Sequence, residues 1–399
     1  ILGARRVVYT TAVPFSNPEI QAAASAGLPL LHRAEMLQEI TAPYNSVAVT
    51  GTHGKTTTSA LLALAFRNAG LDPTVLVGGM VDQLGGNAAL GGGQYAVYEA
   101  CESDNSFFRL QPTSVIVTNI DSDHLDNHLS LDNLTWSLRQ FVDSAKPEGR
   151  VLLSADCSNT ARLRRMLDRP FLTFGSASEA TYRALTEGPS DGRWWFTAYL
   201  RGTLLGRVGM LVAGRHNAVN AAAVIGMALE YGIDWPTIRS SLEAFKGVRR
   251  RLETVGEKNG VLVMDDYAHH PTEIAASLGA TREGWNRRLV VVFQPHLYSR
   301  TVLLQHEFGL CFQQADELVV TDIYAAREAP IPGVDGSLIA DAVRRYSPNG
   351  ANVHYIADKA AVVPFLRTLL RDGDMLLTVG AGDVRAIGEQ FLSSDPSNT

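Results

Sequence analysis

Gly51-Thr52-His53-Gly54-Lys55-Thr56-Thr57-Thr58 is the stretch of this chain that decides the fold. It follows an apolar run at 46–50 and precedes a helix-forming run at 59–68. A strand, a glycine turn and a helix N-terminus in this order form a phosphate cradle, in which backbone N–H groups point at the anion. We expect Lys55 to neutralise the phosphates and a threonine hydroxyl to hold Mg²⁺. The stretch therefore predicts that the chain binds a nucleoside triphosphate.

The spacing within this loop is shorter than in the common P-loop. The usual pattern has four residues between its first glycine and the Gly-Lys pair, whereas only Thr52 and His53 separate Gly51 from Gly54. An ordinary glycine-rich turn between a strand and a helix is the alternative. The strand, the Gly-Lys-Thr-Thr sequence and the helix occur together in the required context, which favours nucleotide binding.

Length and composition indicate a soluble protein of two or three domains. The chain has 399 residues, a formal net charge of −6 and 46% hydrophobic residues, which is typical of α/β proteins. The absence of a basic run argues against nucleic-acid binding. No apolar segment reaches the ~20 residues needed to span a bilayer, and we expect a cytoplasmic location. Cys101, Cys157 and Cys311 match no zinc or disulfide pattern and are expected to be reduced.

Strands and helices alternate along the chain, which predicts α/β architecture with parallel sheets. We place domain boundaries at 1–43, 44–246 and 247–399. The first segment opens inside a strand and is too short to close a sheet, so we expect it to be the remnant of a longer domain. We expect antiparallel strands across 171–212, one helix over 302–314, and a doubly wound sheet in the last domain.

Two polar segments follow buried strands of the middle domain. Glu99 ends one apolar strand, where its carboxylate can hold Mg²⁺. His124 stands among aspartates within 118–126 and can be a metal ligand with an orienting carboxylate. The alternatives are a solvated acidic turn at Glu99 and a surface histidine beside a capping aspartate at His124.

Polar residues also cluster near the end of the middle domain. Asn217 and Asn220 are three residues apart and share one helix face, where both amides can meet a base or a phosphate. The alternative is that Asn217 only caps the helix. Arginines at 249–251 can clamp phosphates, although a solvated basic turn explains such a run equally simply.

The last domain concentrates titratable groups at strand ends. The segment 265–273 joins a strand to a helix and contains two aspartates, a tyrosine and two histidines. Segments 293–301 and 322–328 leave the next two strands with His, Arg, Tyr and Asp. So many ionisable groups at one edge of a doubly wound sheet favour a functional site. The glycine turn at 380–383 is weak evidence alone, because tight turns need glycine regardless.

Taken together and in order, these blocks resemble those of the Mur ligases, from about Val7 to the C-terminus. The segment 51–57 is similar to that family's ATP loop, which shares the shortened spacing. The segment 322–332 looks like that of the alanine-adding members. The resemblance implies a partial Rossmann-like N-terminal domain for a UDP-sugar and a central P-loop ATPase-like domain. It also implies a doubly wound, Rossmann-like C-terminal domain for the amino acid.

The resemblance also implies a reaction and its partners. ATP phosphorylates the carboxylate of UDP-N-acetylmuramate, the amine of L-alanine attacks the acyl phosphate, and ADP and phosphate leave. ATP and Mg²⁺ are the implied cofactors, and peptidoglycan precursor synthesis in the cytoplasm is the implied process. No nucleic acid or membrane partner is expected, and both a monomer and a homodimer stay open.

The resemblance assigns residue roles as well. The implied catalytic residues are Lys55, His269 and Arg300. The implied nucleotide-binding residues are Gly51, Thr52, His53, Gly54, Lys55, Thr56, Thr57, Asn217, Asn220, Arg251, Asp266 and Tyr267. The implied substrate-binding residues are Glu102, His269, His296, Arg300 and Arg327. The implied metal ligands are Thr56, Glu99 and His124.

Three departures from the family pattern bear on these roles. Leu297 stands where many members have arginine, so a substrate-side cation is missing or supplied by Arg300 or Arg327. Cys101 stands where the family often has aspartate. The glycine loop for the UDP diphosphate is absent, with 10–12 as the remaining uridine-side edge, which predicts weak binding of the sugar nucleotide.

Three other functions compete with an alanine-adding ligase. A related ligase attaches a whole tripeptide during wall recycling, and the segment 322–332 argues against it. A nucleotide-binding regulatory module that has lost ligation is the second. A P-loop kinase or GTPase is the third. Such a protein would have no need for the His-rich cluster at 265–270, and the sequence lacks the Asn-Lys-x-Asp run with which GTPases recognise the base.

Overall fold

The computed structural model describes residues 1–102, 105–121, 130–347 and 352–393. The chain divides into two compact units. The first comprises 1–187, 195–210 and 216–246, and the second comprises 188–194, 211–215 and 247–399. Both units combine sheets and helices, as predicted for the α/β class.

The first unit begins with a small parallel pair of strands. Strand β1 (Val7–Tyr9) pairs with β2 (Leu30–His32), and helices α1 (Pro18–Ser25) and α2 (Arg33–Thr41) follow them. The start of α2 is fixed by a capping box, because the Glu35 carboxylate accepts a hydrogen bond from the His32 backbone N–H at 2.6 Å.

The main sheet of the first unit has ten strands in the described residues, in the order β12-β11-β10-β9-β8-β7-β3-β6-β4-β5. The strands are β3 (Asn45–Thr50), β4 (Thr74–Val81), β5 (Gly86–Ala89), β6 (Tyr95–Glu99), β7 (Ser114–Val117), β8 (Val151–Ser154), β9 (Leu172–Gly175), β10 (Tyr182–Ser190), β11 (Arg193–Leu200) and β12 (Thr203–Met210). The accompanying helices are α3 (Lys55–Asn68), α4 (Leu131–Asp143), α5 (Ser158–Met166), α6 (Arg215–Glu230) and α7 (Trp235–Ala244).

Burial explains why β3 and α3 lie at the centre of this unit. Strand β3 is buried from Ser46 to Thr50 and lies between two parallel neighbours, β6 and β7. A continuous apolar run is what a parallel strand covered on both faces requires. Helix α3 is buried at every position from Thr58 to Phe66, so the phosphate-binding stretch is mounted on two rigid elements.

The sheet of the second unit has six strands in the described residues, in the order β13-β14-β18-β15-β16-β17. They are β13 (Glu253–Lys258), β14 (Val261–Asp266), β15 (Leu289–Phe293), β16 (Glu317–Val320), β17 (Asn352–Tyr355) and β18 (Met375–Val379), with only β13 antiparallel. The helices are α8 (Pro271–Gly284), α9 (Tyr298–Leu303), α10 (Gln305–Cys311), α11 (Ser337–Tyr346), α12 (Val362–Leu369) and α13 (Arg385–Ser393).

The structure corrects two predictions of local structure. The segment 171–212 is not antiparallel throughout, because β9 runs parallel to both β8 and β10. Two-residue turns at 191–192 and 201–202 join β10, β11 and β12, and turns of this length impose antiparallel pairing only there. The helix predicted over 302–314 is two helices, α9 and α10, that meet at Leu304.

The sequence pattern did not predict three of the strands. Strand β4 contains two glycines, β5 is short and exposed, and β13 carries charged residues at an edge. Pairing with an existing sheet decides these strands more than their own propensity does. No helix in the described ranges combines the length and apolar character that crossing a bilayer demands.

Candidate functional site

The phosphate-binding stretch forms the tight turn that its sequence predicts. The φ angles of Gly51 and Gly54 are +117° and +79°, values that favour glycine. A Cβ on Gly51 would lie 2.4 Å from the Thr118 hydroxyl oxygen, and one on Gly54 would lie 2.7 Å from the Asn220 side-chain oxygen. Glycine is therefore required at both positions by conformation and by close approach.

The segment that follows β7 holds this loop in place. The His53 N–H donates to the Asn119 side-chain oxygen at 2.8 Å, and the Asn119 amide donates back to the His53 carbonyl at 3.0 Å. The Thr118 hydroxyl donates to the same carbonyl at 2.6 Å. Hydrogen bonds of this kind fix the loop before any ligand arrives, so its shape is preorganised for an anion.

Lys55 lies at the centre of the loop and is paired with a buried carboxylate. Its ammonium donates to the carbonyls of Gly51 at 2.6 Å and Thr52 at 2.9 Å, and forms an ion pair with Glu102 at 3.0 Å. Burial opposes the charged amine, but the nearby acids, Glu102 first, raise the pKa of Lys55 above its ordinary value. Burial raises the pKa of Glu102, and the Lys55 charge opposes that rise.

Oxygen ligands suitable for a metal gather beside Lys55. The Thr56 hydroxyl donates to the Glu99 carboxylate at 2.7 Å, and the Gly78 N–H donates to the same oxygen at 3.0 Å. Glu102 lies against Lys55 beside the phosphate loop, and its predicted contact with substrate stays a prediction. A hydroxyl and two carboxylates are the hard-oxygen donors that Mg²⁺ prefers, so this set fits the ion.

The two asparagines meet as the helical spacing predicts. The Asn220 amide donates to the Asn217 side-chain oxygen at 3.2 Å. Helix α6 begins at Arg215, so Asn217 lies inside its first turn and is not its cap. Asn220 also packs against Gly54, which places this amide pair at the phosphate loop.

In the second unit, the loop between β14 and α8 holds Tyr267 and His269. The guanidinium of Arg251 lies 5.1 Å from the centre of the Tyr267 ring, and that of Arg250 lies 4.9 Å from it. A nitrogen of His269 lies 3.0 Å from the Tyr267 carbonyl, and the His269 N–H donates to Glu273 at 3.1 Å. Arg250 was named from the sequence only as one of the arginines at 249–251 that can clamp phosphates. Glu273 was given no role, although its four-residue spacing from His269 was a usable signal.

Asp266 anchors this loop from beneath. Its carboxylate accepts hydrogen bonds from the backbone N–H groups of Leu252 at 2.9 Å and Ala268 at 2.7 Å, and from the Ser277 hydroxyl at 3.0 Å. Burial raises the pKa of Asp266 to about 6 in spite of these donors and of Arg251. The geometry makes Asp266 a support for the loop, whereas its contact with the nucleotide stays a prediction.

The loops after β15 and β16 bring further side chains to His269. The rings of His296 and Tyr324 stack with centroids 5.8 Å apart, and the His269 ring lies 5.9 Å from that of His296. An Arg300 nitrogen lies 3.3 Å from Nδ1 of His296. Burial, followed by the positive charges of His269, Arg300 and Arg327, lowers the pKa of His296 to about 4. His296 is therefore neutral at physiological pH.

Leu297 has a buried side chain and a φ of +70°. A non-glycine residue with positive φ is strained, and such strain concentrates at functional sites. Strand β18 lies between β14 and β15, and its glycine turn also belongs here: a Cβ on Gly382 would meet the Gln294 side chain at 2.3 Å and Tyr324 at 2.7 Å.

Most of the predicted residues thus fall into two groups, each within one unit. The first group surrounds the phosphate loop and the second surrounds His269 and His296. His124 lies outside the described residues. The members of the first group are Gly51, Thr52, His53, Gly54, Lys55, Thr56, Thr57, Glu99, Glu102, Asn217 and Asn220, and those of the second are Arg251, Asp266, Tyr267, His269, His296, Arg300 and Arg327.

Comparison with known proteins identifies the family. Residues 49–228 match the Mur ligase middle domain, and residues 250–382 match the Mur ligase glutamate ligase domain. The chain is 44% identical to the UDP-N-acetylmuramate–L-alanine ligase of Desulfosudis oleivorans, over 98% of this chain and 85% of that protein. It is 42% identical to the enzyme of the same name from Geotalea uraniireducens, over 97% and 84% of the two chains.

A solved structure agrees with this similarity. The UDP-N-acetylmuramate–alanine ligase of Thermotoga maritima superposes with a TM-score of 0.83 at 30% identity, covering 97% of this chain and 84% of that one. The chain therefore belongs to the Mur ligase family and has its three-domain fold. The resemblance read from the ordered motifs is confirmed.

Proposed function

We propose that the protein is an ADP-forming ligase that joins L-alanine to the carboxylate of UDP-N-acetylmuramate in peptidoglycan precursor synthesis. The observation that carries this function is the similarity, over nearly the whole chain, to relatives that bear the name of this enzyme. The phosphate loop and the His-rich second group are the parts that such a ligase requires. Because the Mur ligase family is ATP-dependent, ATP would be the phosphoryl donor.

The phosphate loop supports a direct role in nucleotide binding. Its backbone N–H groups and the α3 N-terminus would bind the triphosphate, with Lys55 on the β- and γ-phosphates and Asn217 and Asn220 beside them. The resemblance to the family also assigns Arg251, Asp266 and Tyr267 to nucleotide binding, and we propose that role for them. Thr56, Glu99 and Glu102 would hold Mg²⁺, with His124 as a further ligand. The bound ion would offset phosphate charge as the γ-phosphoryl group leaves ADP.

The chemistry joins two anions before it forms an amide. A carboxylate oxygen of the muramyl group attacks the γ-phosphorus, and the bond from that phosphorus to ADP breaks. The amine nitrogen of alanine then attacks the acyl carbon, phosphate leaves, and the amine loses a proton. Lys55, Arg300 and Arg327 would offset the repulsion between triphosphate and carboxylate, which is the electrostatic requirement of the first step.

The second group supports binding of the reacting ends. His269, His296 and Arg300 would face the muramyl carboxylate and the alanine. His296 is neutral, so it can accept or donate one hydrogen bond without adding charge. Leu297 supplies no cation, and the Arg300 guanidinium, 3.3 Å from Nδ1 of His296, would bind a carboxylate substrate. Glu273 lies 3.5 Å from His269 and would orient that ring.

We assign domain roles on the same basis. Residues 1–43 would belong to the UDP-sugar domain, 44–246 to the ATP domain and 247–399 to the amino-acid domain. A cavity of about 450 Å³ lies between β1, β2 and the 105–109 segment. Its lining includes Tyr9, Thr11 and Arg109, which would form one side of the sugar-nucleotide site. The expected location is the cytoplasm, where the precursor would be assembled.

The deciding experiment is phosphate release from ATP with UDP-N-acetylmuramate and L-alanine, each omitted in turn. The proposal requires release that depends on both substrates, together with the amide product by mass spectrometry. Replacing alanine with the tripeptide tests the recycling ligase. Nucleotide binding without substrate-dependent release would instead identify a regulatory module and refute the ligase.

A further inference from the structure

A basic cavity lies in the first unit at the sheet edge opposite the phosphate loop. It measures about 250 Å³, and Arg150, Arg169 and Arg201 line it together with Glu230. Arg150 and Phe171 immediately precede β8 and β9, two strands of the parallel part of the sheet. The phosphate loop follows the opposite, carboxyl end of β3 in the same sheet. This cavity is therefore separate from the nucleotide site.

The charges of the cavity are not balanced. Glu230 is the one lining acid, and it pairs with Arg150 at 2.8 Å. Arg169 donates to the carbonyls of Val142, Ala145 and Lys146, which orient its guanidinium without neutralising it. Within the described ranges, no carboxylate forms an ion pair with Arg169 or Arg201. Two positive charges are thus left to attract an anion.

The shape of the cavity limits the size of that anion. Its volume corresponds to roughly eight water molecules, at about 30 Å³ each. Phosphate or pyrophosphate fits this space. Pro147, Pro170 and Phe171 add apolar surface beside the guanidinium groups.

Helix α6 connects this cavity to the phosphate loop. Its first turn carries Asn217 and its last residue is Glu230, so the helix spans roughly 24 Å. The Tyr182 hydroxyl donates to Glu230 at 2.7 Å, and the Tyr182 ring packs so closely on Gly226 that a Cβ there would lie 2.6 Å from it. A carboxylate in the last turn of a helix opposes the helix dipole, and Arg150 offsets that cost.

We propose that this cavity is a regulatory binding site for a compact phosphate-type dianion, coupled through helix α6 to nucleotide binding. The anion would bind Arg201 and Arg169 and compete with Glu230 for Arg150. Loss of the Arg150–Glu230 pair would change the stability of the helix end. Because the same helix positions Asn217 and Asn220 at the phosphate loop, this change would alter the affinity of the loop for nucleotide.

The test uses inorganic phosphate as the probe and calorimetry at constant ionic strength. The protein is first saturated with a non-hydrolysable ATP analogue and Mg²⁺, so that the phosphate loop is occupied. Arg201→Asn removes one cavity charge, and asparagine tolerates the φ of +47° at this turn position. Arg5→Asn, an exposed position in the N-terminal segment, removes an equal charge as the matched control.

We expect wild type and Arg5→Asn to bind phosphate alike, and Arg201→Asn to bind it about tenfold more weakly, the loss expected for a charged hydrogen bond. Equal binding by both variants, or no binding by wild type, overturns the site. The affinity for the ATP analogue is then measured with and without phosphate. A shift that is the same in Arg201→Asn overturns the coupling, because direct competition at the loop would affect every variant equally.

Discussion

Removing the Lys55 ammonium should leave Glu102 as a buried carboxylate without its cation. The Glu102 side chain is buried, and the ordinary pKa of a glutamate is 4.5. If the folded variant Lys55→Met keeps Glu102 protonated, the cost of protonation at pH 7.5 is about 4 kcal/mol, from three pH units at about 1.36 kcal/mol each. At pH 5.5 the same cost is only about 1.4 kcal/mol.

The sign of the pH dependence follows from the direction of the pKa change. In Lys55→Met the folded-state pKa of Glu102 lies above its unfolded value, so stability is lost as the pH rises. We expect the variant to lose about 3 kcal/mol more free energy of unfolding, relative to wild type, at pH 7.5 than at pH 5.5. Urea unfolding of both proteins at the two pH values measures this difference.

Two further variants separate stability from catalysis. Lys55→Met/Glu102→Gln removes the buried charge and should recover most of the stability at pH 7.5, since the remaining group is a neutral amide. Its ligase activity should stay at least a hundredfold below wild type, because the cation at the phosphates is gone. A Lys55→Met destabilisation that is independent of pH, or that Glu102→Gln does not relieve, would refute the buried ion pair as the cause.

Three other perturbations test separate parts of the structure. Burial raises the pKa of Asp266 to about 6 in the folded state, so its ionisation between pH 4 and pH 6 costs wild type about 3 kcal/mol of stability. Asp266→Asn should abolish this pH-dependent loss. Urea midpoints at pH 4 and pH 7 measure the effect, and an unchanged pH profile contradicts it. Gly78→Ala would place a Cβ 2.5 Å from a Glu99 oxygen, so it should raise the Mg²⁺ concentration for half-maximal activity about tenfold. Gly279→Ala, with open space around its Cβ, is the control and should not change it. Equal Mg²⁺ requirements in the two variants would count against Glu99 as a metal ligand. Arg300→Ala should raise the pKa of His296 from about 4, because one of the charges that lower it is removed; an NMR titration of the ring that shows no upward shift disproves this electrostatic contribution.

The sequence predicts the elements that repeat a strong local pattern. Strands β15 and β18 are examples, because each is a continuous apolar run that ends in turn residues. The phosphate loop was also predictable, since Gly-Lys-Thr after a strand leaves few alternatives. Strand β13 was not, because its charged residues form an edge that only the neighbouring β14 stabilises.

The candidate site shows the same division. Residues at the carboxyl ends of strands, such as His269 and His296, could be named because parallel strands bring their ends to one edge. The placement of Glu102 against Lys55 could not, because two residues 47 positions apart meet only after β3 and β6 pair. Pairing between strands depends on the whole sheet, and it therefore decides which of the predicted residues form ion pairs with one another.

The contacts around Lys55 bear on how a triphosphate would enter. Lys55 already has two carbonyl acceptors and a carboxylate, so an incoming phosphate oxygen must displace Glu102 from it. Displacement would leave Glu102 charged and buried, which is costly unless another cation replaces the ammonium. Glu99, which is only partly buried, would lose a hydrogen-bond donor when Thr56 turns toward the phosphates. Mg²⁺ that arrives with the nucleotide would supply that cation for both carboxylates, and each anion would again have a positive partner. The two acids therefore make entry of the triphosphate alone unfavourable, so nucleotide and metal would bind as one complex.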